Sequence, residues 1–368
     1  YIFYIRCIIM NNPDEINDKR MIKEFRGITF SNYKKSDAKK EFLKSLLNGK
    51  IEPACYWSVE FICAGHYADL WEMILEFTGK NIHLGNPKLP IYLQTRYEAF
   101  KEIVINGYVD NELKMRNNDK IRKLFAEVIA ILCQSRKKHP FSKVKFDKND
   151  FIMTNLSEKL KAPNVSYANK IFMKEDQNIF FVAINELGFH MSKDNYNGAM
   201  ACYWVEWLLE YEGLIKKQKQ KVLCGRRSYV PVNTKDQMDI IWMVWDILLY
   251  EAKNKSSGHT RIIKALLDIF CIRWSSGVKK RRRWLIYFAI SLITEKFNAS
   301  IPLLGNKEQI SHIKDKVNVI YRQIKKNEVK PATDYLFNNS FTNNSKNLEK
   351  TIAKLDKMSQ LGFIPRNN

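Results

Sequence analysis

Pro53-Ala54-Cys55-Tyr56-Trp57-Ser58-Val59-Glu60-Phe61-Ile62-Cys63-Ala64-Gly65-His66-Tyr67 is the stretch on which the fold class turns. Proline is tolerated in the first turn of a helix, where its missing N–H costs nothing. Large apolar residues follow, and Leu70-Trp71 and Ile74-Leu75 continue them at helical spacing. Glu60, Asp69, Glu72 and Glu76 thread between the apolar positions. The pattern predicts one helix from Ala54 to about Phe77, with Gly65 as a kink or a point of close approach. A helix so rich in aromatic side chains is stable only when other helices cover it.

Working outward, further helical periods appear on both sides. Ser36 stands as an N-cap before Phe42, Leu43, Leu46 and Leu47, and Asn48-Gly49 ends that helix. Phe25 to Phe30 reads as a short strand or a loop. Asn86-Pro87-Lys88-Leu89-Pro90 predicts a turn, followed by helices at about 92–106 and 119–134. Arg136-Lys137-Lys138-His139-Pro140 closes the second of these, the cations opposing the helix dipole and the proline stopping continuation. Helices are then expected at 179–191, from Ala199 to about Tyr211, after Thr234, after Thr260, and over 279–296. One loosely attached helix is expected at 347–358.

Ala54-Cys55-Tyr56-Trp57 recurs as Ala201-Cys202-Tyr203-Trp204, with Glu60 and Glu206 shortly after each copy. Gly49 and Gly198 precede the two copies, and turns at Pro87 and Pro231 follow them. The expected fold is therefore all-α, with two tandem, duplicated multi-helix bundles. Chance agreement between two buried aromatic helices is the alternative. The expected boundaries are an N-terminal segment at 1–35, a first module at 36–140, a connecting region at 141–178, a second module at 179–326 and a polar, partly disordered tail at 327–368.

Composition narrows the function classes. With 45% hydrophobic residues among 368, a sizeable core is affordable and wholesale disorder is excluded. Lys and Arg number 61 against 39 Asp and Glu, a formal net charge of +22. Such a field attracts polyanions. The Lys, Asn and Ile skew of an AT-rich coding sequence accounts for part of it. The seven Cys are scattered, without a Cys-x-x-Cys pair, which points to a reducing, intracellular setting: host cytoplasm, nucleus or virion interior. The longest apolar run, 284–293, falls well short of the ~20 residues that span a bilayer. The opening 1–10 is apolar but lacks a signal-cleavage pattern, and the chain is read from Met10 onward, as an incomplete frame or a later start.

Phosphate-loop, dinucleotide and nucleophile-elbow motifs are absent, and no His lies beside a Cys at zinc spacing. No cofactor, no metal and no catalytic residue is expected. His66 and Asp69 share a helix face at i, i+3, as a carboxylate-oriented base would, or as a half-buried hydrogen-bonded pair. Trp57, Trp71, Trp204, Trp207, Trp242 and Trp245 read as core. Two basic segments are more suggestive. Lys216, Lys217, Lys219, Lys221, Arg226 and Arg227 fall in one expected loop without an intervening acid, and Tyr229 follows. Cations there neutralise phosphates and the aromatic stacks on a base. Lys279-Lys280-Arg281-Arg282-Arg283 opens a helix before Trp284, like a nuclear-localisation or polyanion-binding run. Five cations at a helix N-terminus repel one another unless a counter-anion is present. For either segment a plain solvated loop is the alternative.

The quoted stretch, with Asp69-Leu70-Trp71, the Asn86–Pro90 turn and the second Ala-Cys-Tyr-Trp, resembles an uncharacterised protein family of nucleocytoplasmic large DNA viruses. The resemblance covers most of residues 36–300 and implies a viral origin, but no activity and no site residues. The leading expectation is a non-enzymatic nucleic-acid-binding protein accessory to replication, transcription or packaging. A helical scaffold for acidic protein partners is the second reading, and an enzyme centred on His66 and Asp69 the third.

Overall fold

The computed structural model describes residues 14–107, 112–329 and 344–361. Among them there are sixteen α-helices and no strand; a lone antiparallel bridge joins Ile28 and Lys34. The fold is all-α. In chain order the helices are α1 (Lys35–Leu47), α2 (Ile51–Cys63), α3 (Tyr67–Phe77), α4 (Leu89–Ile105), α5 (Glu112–Arg116), α6 (Asp119–Gln134), α7 (Met153–Leu156) and α8 (Ser166–Asn169). They continue as α9 (Phe181–Met191), α10 (Gly198–Lys217), α11 (Ile241–Lys255), α12 (Ser257–Phe270), α13 (Val278–Arg281), α14 (Arg283–Thr294), α15 (Lys307–Lys325) and α16 (Asn344–Leu361).

Two compact units divide the chain, and they interleave along it. Among the described residues, the first holds those up to Met73, those between Arg96 and Ser135 and those from Leu304 onward. The second holds Ile74–Thr95 and Arg136–Leu303. These are not the consecutive spans 36–140 and 179–326 suggested by the sequence. Parts of the expected N-terminal segment (1–13) and of the tail (330–343 and 362–368) lie outside the described residues.

In the first unit α2 is central: every residue from Ile51 to Cys63 is buried, and α1, α6, α15 and α16 pack on it. Its end corrects the single helix expected to Phe77. Gly65 adopts φ +74°, its N–H reaches the Ile62 carbonyl (3.0 Å), and the His66 N–H reaches that of Phe61 (2.8 Å). That double closure is a Schellman turn, which favours glycine because a Cβ is strained in the left-handed region.

In the second unit the buried centre is α14, against which α9, α10, α11 and α12 pack, together with the irregular turns over 78–85. The two Ala-Cys-Tyr-Trp helices thus hold different places, α2 at the middle of its unit and α10 against α9 and α14. The packing does not show a tandem duplication. The six tryptophans named above are all core residues.

Helix starts also differ in places. Lys34, with no capping side chain, precedes α1, so Ser36 lies in its first turn. Ser256, not Thr260, caps α12 by accepting from the His259 N–H. Thr234 opens a separate short turn, and α11 starts after Ile240. Helices α1 and α11 thus start without a capping hydroxyl, and α12 starts four residues before the expected one. No described helix is long and apolar enough to cross a membrane.

Candidate polyanion interface

The second half of α10 carries Glu206, Glu210 and Glu212 on an otherwise apolar stretch. A buried carboxylate requires cations or N–H donors. The basic block at 279–283 supplies them. Lys279 is buried and its Nζ lies 2.6 Å from Glu212 and 2.7 Å from Asp239. Arg283 reaches Glu206 at 2.5 Å, where the Tyr287 hydroxyl also donates (3.0 Å). Lys280 pairs with Glu210 at 3.3 Å, and Lys143 joins Glu210 at 3.0 Å. Burial raises the Glu206 carboxyl above its ordinary value despite these cations. Glu210 is pushed up by burial as well, but Lys143 and Lys280 outweigh it and hold that carboxyl below its ordinary value.

The counter-anions of the basic block are therefore the chain's own carboxylates. The helix expected over 279–296 is split as well. Lys279, Lys280 and Arg281 occupy the short α13, and Arg282 stands at the junction with α14. Buried Arg282 donates to the carbonyls of Phe270 (2.7 Å) and Ile272 (2.6 Å), closing the end of α12. Lys279, Arg282 and Arg283 are thus interior side chains, whereas Lys280 is half-buried and Arg281 exposed.

The other segment divides differently. Lys216 and Lys217 form the last turn of α10 and not a loop. Lys216 shares Glu212 with Lys279, at 2.6 Å, and Lys280 reaches over Gly213. One end of α10 therefore does bring the two basic segments together. Arg227 is fully buried, bidentate on Asp176 and 2.8 Å from Asp246 through Nε. Tyr229 leaves its ring half exposed while its hydroxyl donates to Asp246 at 2.6 Å. Arg226 is exposed, with Nε on the Gln237 side-chain oxygen at 2.7 Å.

Lys217, Lys219 and Lys221 are exposed and make no ion pair among the described residues. Lys219 stands at φ +60°. Its N–H reaches the Lys216 carbonyl (3.0 Å), and the Gln220 N–H reaches that of Ile215 (3.2 Å). This is a second Schellman turn, with a lysine where α2 uses a glycine.

His66 and Asp69 lie side by side without a hydrogen bond between them, and each has other partners. The imidazole Nε2 lies against the carbonyls of Phe25 (3.0 Å) and Ile28 (2.9 Å), tying down the N-terminal loop. Its Nδ1 is 3.8 Å from Asp69, which instead takes Lys35 at 3.0 Å.

No family model, curated protein or solved structure matches the chain.

Sequence reasoning missed one further feature, a pocket in the second unit that includes Lys88 and Arg261. The Asn-Pro turn marked where one wall begins, but no motif links it to a helix start some 170 residues later.

Proposed function

We propose that the protein binds nucleic acid through Lys217, Lys219, Lys221 and Arg226, flanked by Lys216, Lys280 and Arg281, as an accessory of replication, transcription or packaging in a large DNA virus. One observation carries the reading. The cations of the 216–226 segment stay exposed, and three of its lysines lack a carboxylate, while those of the 279–283 block are largely spent inside. Lysine in the left-handed position of the α10 turn adds support, because the backbone there favours glycine. The half-exposed Tyr229 ring offers a stacking face.

Each phosphate neutralised on a duplex contributes about −0.9 to the slope of log affinity against log salt, so four contacts give a slope of about −3.6 and roughly a 150-fold loss of affinity between 50 and 200 mM salt. Fluorescence anisotropy with a labelled duplex measures this. Replacing Lys217, Lys219, Lys221 and Arg226 by Gln flattens the dependence. Affinity that ignores both salt and the fourfold variant, or purified protein that carries acidic proteins and no nucleic acid, overturns the reading.

A further inference from the structure

The second unit contains a pocket of about 500 Å³ that neither the basic segments nor the acidic ladder of α10 touches. One wall is the start of α4, with Ile91 and Tyr92; the other is the start of α12, with Ile262; Phe297 and Leu303 close it from the segment after α14. The walls are tied together before any ligand arrives. Gln94 donates to Asp268 at 2.6 Å, joining α4 to α12. Asn86 donates to the Leu303 carbonyl at 3.2 Å, and the Phe297 ring packs edge-on against His259 at 5.2 Å. Preformed, largely apolar cavities of this size hold small organic ligands.

Charge decides which class. Lys88 and Arg261 stand among the lining residues, and neither makes an ion pair among the described residues. Every other lining side chain is uncharged. Polar groups able to read a nucleobase are scarce, since the Thr95 hydroxyl is given to its own helix at the Ile91 carbonyl (3.1 Å). The aliphatic and aromatic walls suit a hydrocarbon chain, and the two cations suit one anionic head.

We infer that this pocket binds a small anionic amphiphile of the fatty-acid class, its chain between Ile91, Ile262, Phe297 and Leu303 and its carboxylate at Lys88 and Arg261. The inference is independent of the nucleic-acid reading, because the two sites share no residue.

Calorimetric titration of the full chain with octanoate, decanoate and dodecanoate tests it, with decylammonium as the control of opposite charge. Burying a methylene contributes about fourfold in affinity, so two more give roughly fifteenfold from octanoate to decanoate. The Lys88→Gln/Arg261→Gln variant is expected to weaken decanoate at least tenfold. Ala299→Trp fills the pocket from an exposed position and is expected to abolish binding with unchanged helical circular dichroism. Three results each overturn the inference: no dependence on chain length, decylammonium binding as well as decanoate, or both variants binding like the parent. A nucleotide that binds more tightly than any of the carboxylates would reassign the ligand class.

Discussion

Arg227 separates a structural cation from a phosphate contact, and its replacement by Met is the sharpest perturbation. Methionine keeps much of the volume and removes the charge. In the parent, Asp176 has no exposed side-chain surface and accepts the Arg227 fork together with the N–H groups of Met173 (2.8 Å) and Gly225 (2.7 Å). Asp246 accepts Arg227 Nε at 2.8 Å and the Tyr229 hydroxyl at 2.6 Å. The variant leaves two carboxylates in the interior without their cation. Breaking a buried pair in this way costs about 3–5 kcal/mol. In a unit of this size that lowers the melting temperature by about 10–15 °C.

The pH dependence has a definite sign. Burial pushes the Asp176 carboxyl up, but the Arg227 fork and the two backbone N–H groups outweigh it and hold the group below its ordinary value of 3.8. Its contribution to stability is therefore present above that value and lost as pH falls through the lowered one. Without Arg227 the loss begins at higher pH, so the acid limb of the stability curve moves upward. Thermal unfolding followed by circular dichroism from pH 3 to 8 reads both effects. Asp176→Asn combined with Arg227→Met is expected to recover part of the loss, with a coupling of about 2 kcal/mol or more. If Arg227→Met leaves the melting temperature within the range of a surface change, about 0.5 kcal/mol, and instead weakens nucleic-acid binding, the interior assignment of Arg227 is refuted.

Other consequences are equally direct. Burial lifts the Glu60 carboxyl above its ordinary 4.5, although Ser31 donates to it through both N–H (3.0 Å) and hydroxyl (2.5 Å). The folded chain thus holds that proton more tightly than the unfolded one, and the associated stability is lost as pH rises through the raised value. Glu60→Gln is expected to lose less stability than the parent between pH 4.5 and 7 in urea titrations. Lys219→Gly relieves a left-handed lysine and is expected to stabilise by about 0.5–1 kcal/mol while making the salt slope of duplex binding shallower by about 0.9. Gly85→Ala would place a Cβ 2.1 Å from the Arg136 carbonyl oxygen, so it is expected to cost about 3 kcal/mol, read as a lowered urea midpoint.

Where periodicity was strong, the sequence located the elements well. The helix expected at 119–134 is α6, Asp119–Gln134, because its apolar positions repeat cleanly and Asn118 caps it through the Ile121 N–H. The cap at Thr260 was misplaced because Ser256, Ser257 and Thr260 cluster there and only the backbone conformation selects among them, while α1 and α11 start behind Lys34 and Ile240 with no capping side chain for a sequence to reveal. The break at Gly65 was legible as a glycine, but not as a Schellman end. The basic block was hardest. Five adjacent cations look like one surface feature, yet the chain turns from α13 into α14 at Arg282, and Lys279 and Arg283 turn inward while Arg281 stays exposed. The signal that could have revealed this lies far away, in Glu206, Glu210 and Glu212: acids on a helix that is otherwise nearly all core must find cations from somewhere.

The interleaving of the two units has a consequence for biosynthesis. The first unit needs α15, whose Ile313, Val317, Ile320 and Tyr321 are buried in its packing on α2 and α6, and α16 after it. A ribosome that has just released α6 must still make the whole stretch from Arg136 to Leu303 before that cover emerges. At roughly 5–20 residues per second, the aromatic faces around Trp57 and Phe125 wait on the order of ten to thirty seconds for that cover. During vectorial synthesis the second unit therefore has the opportunity to close first, and the nascent first unit is a natural client for chaperones that shield apolar helices.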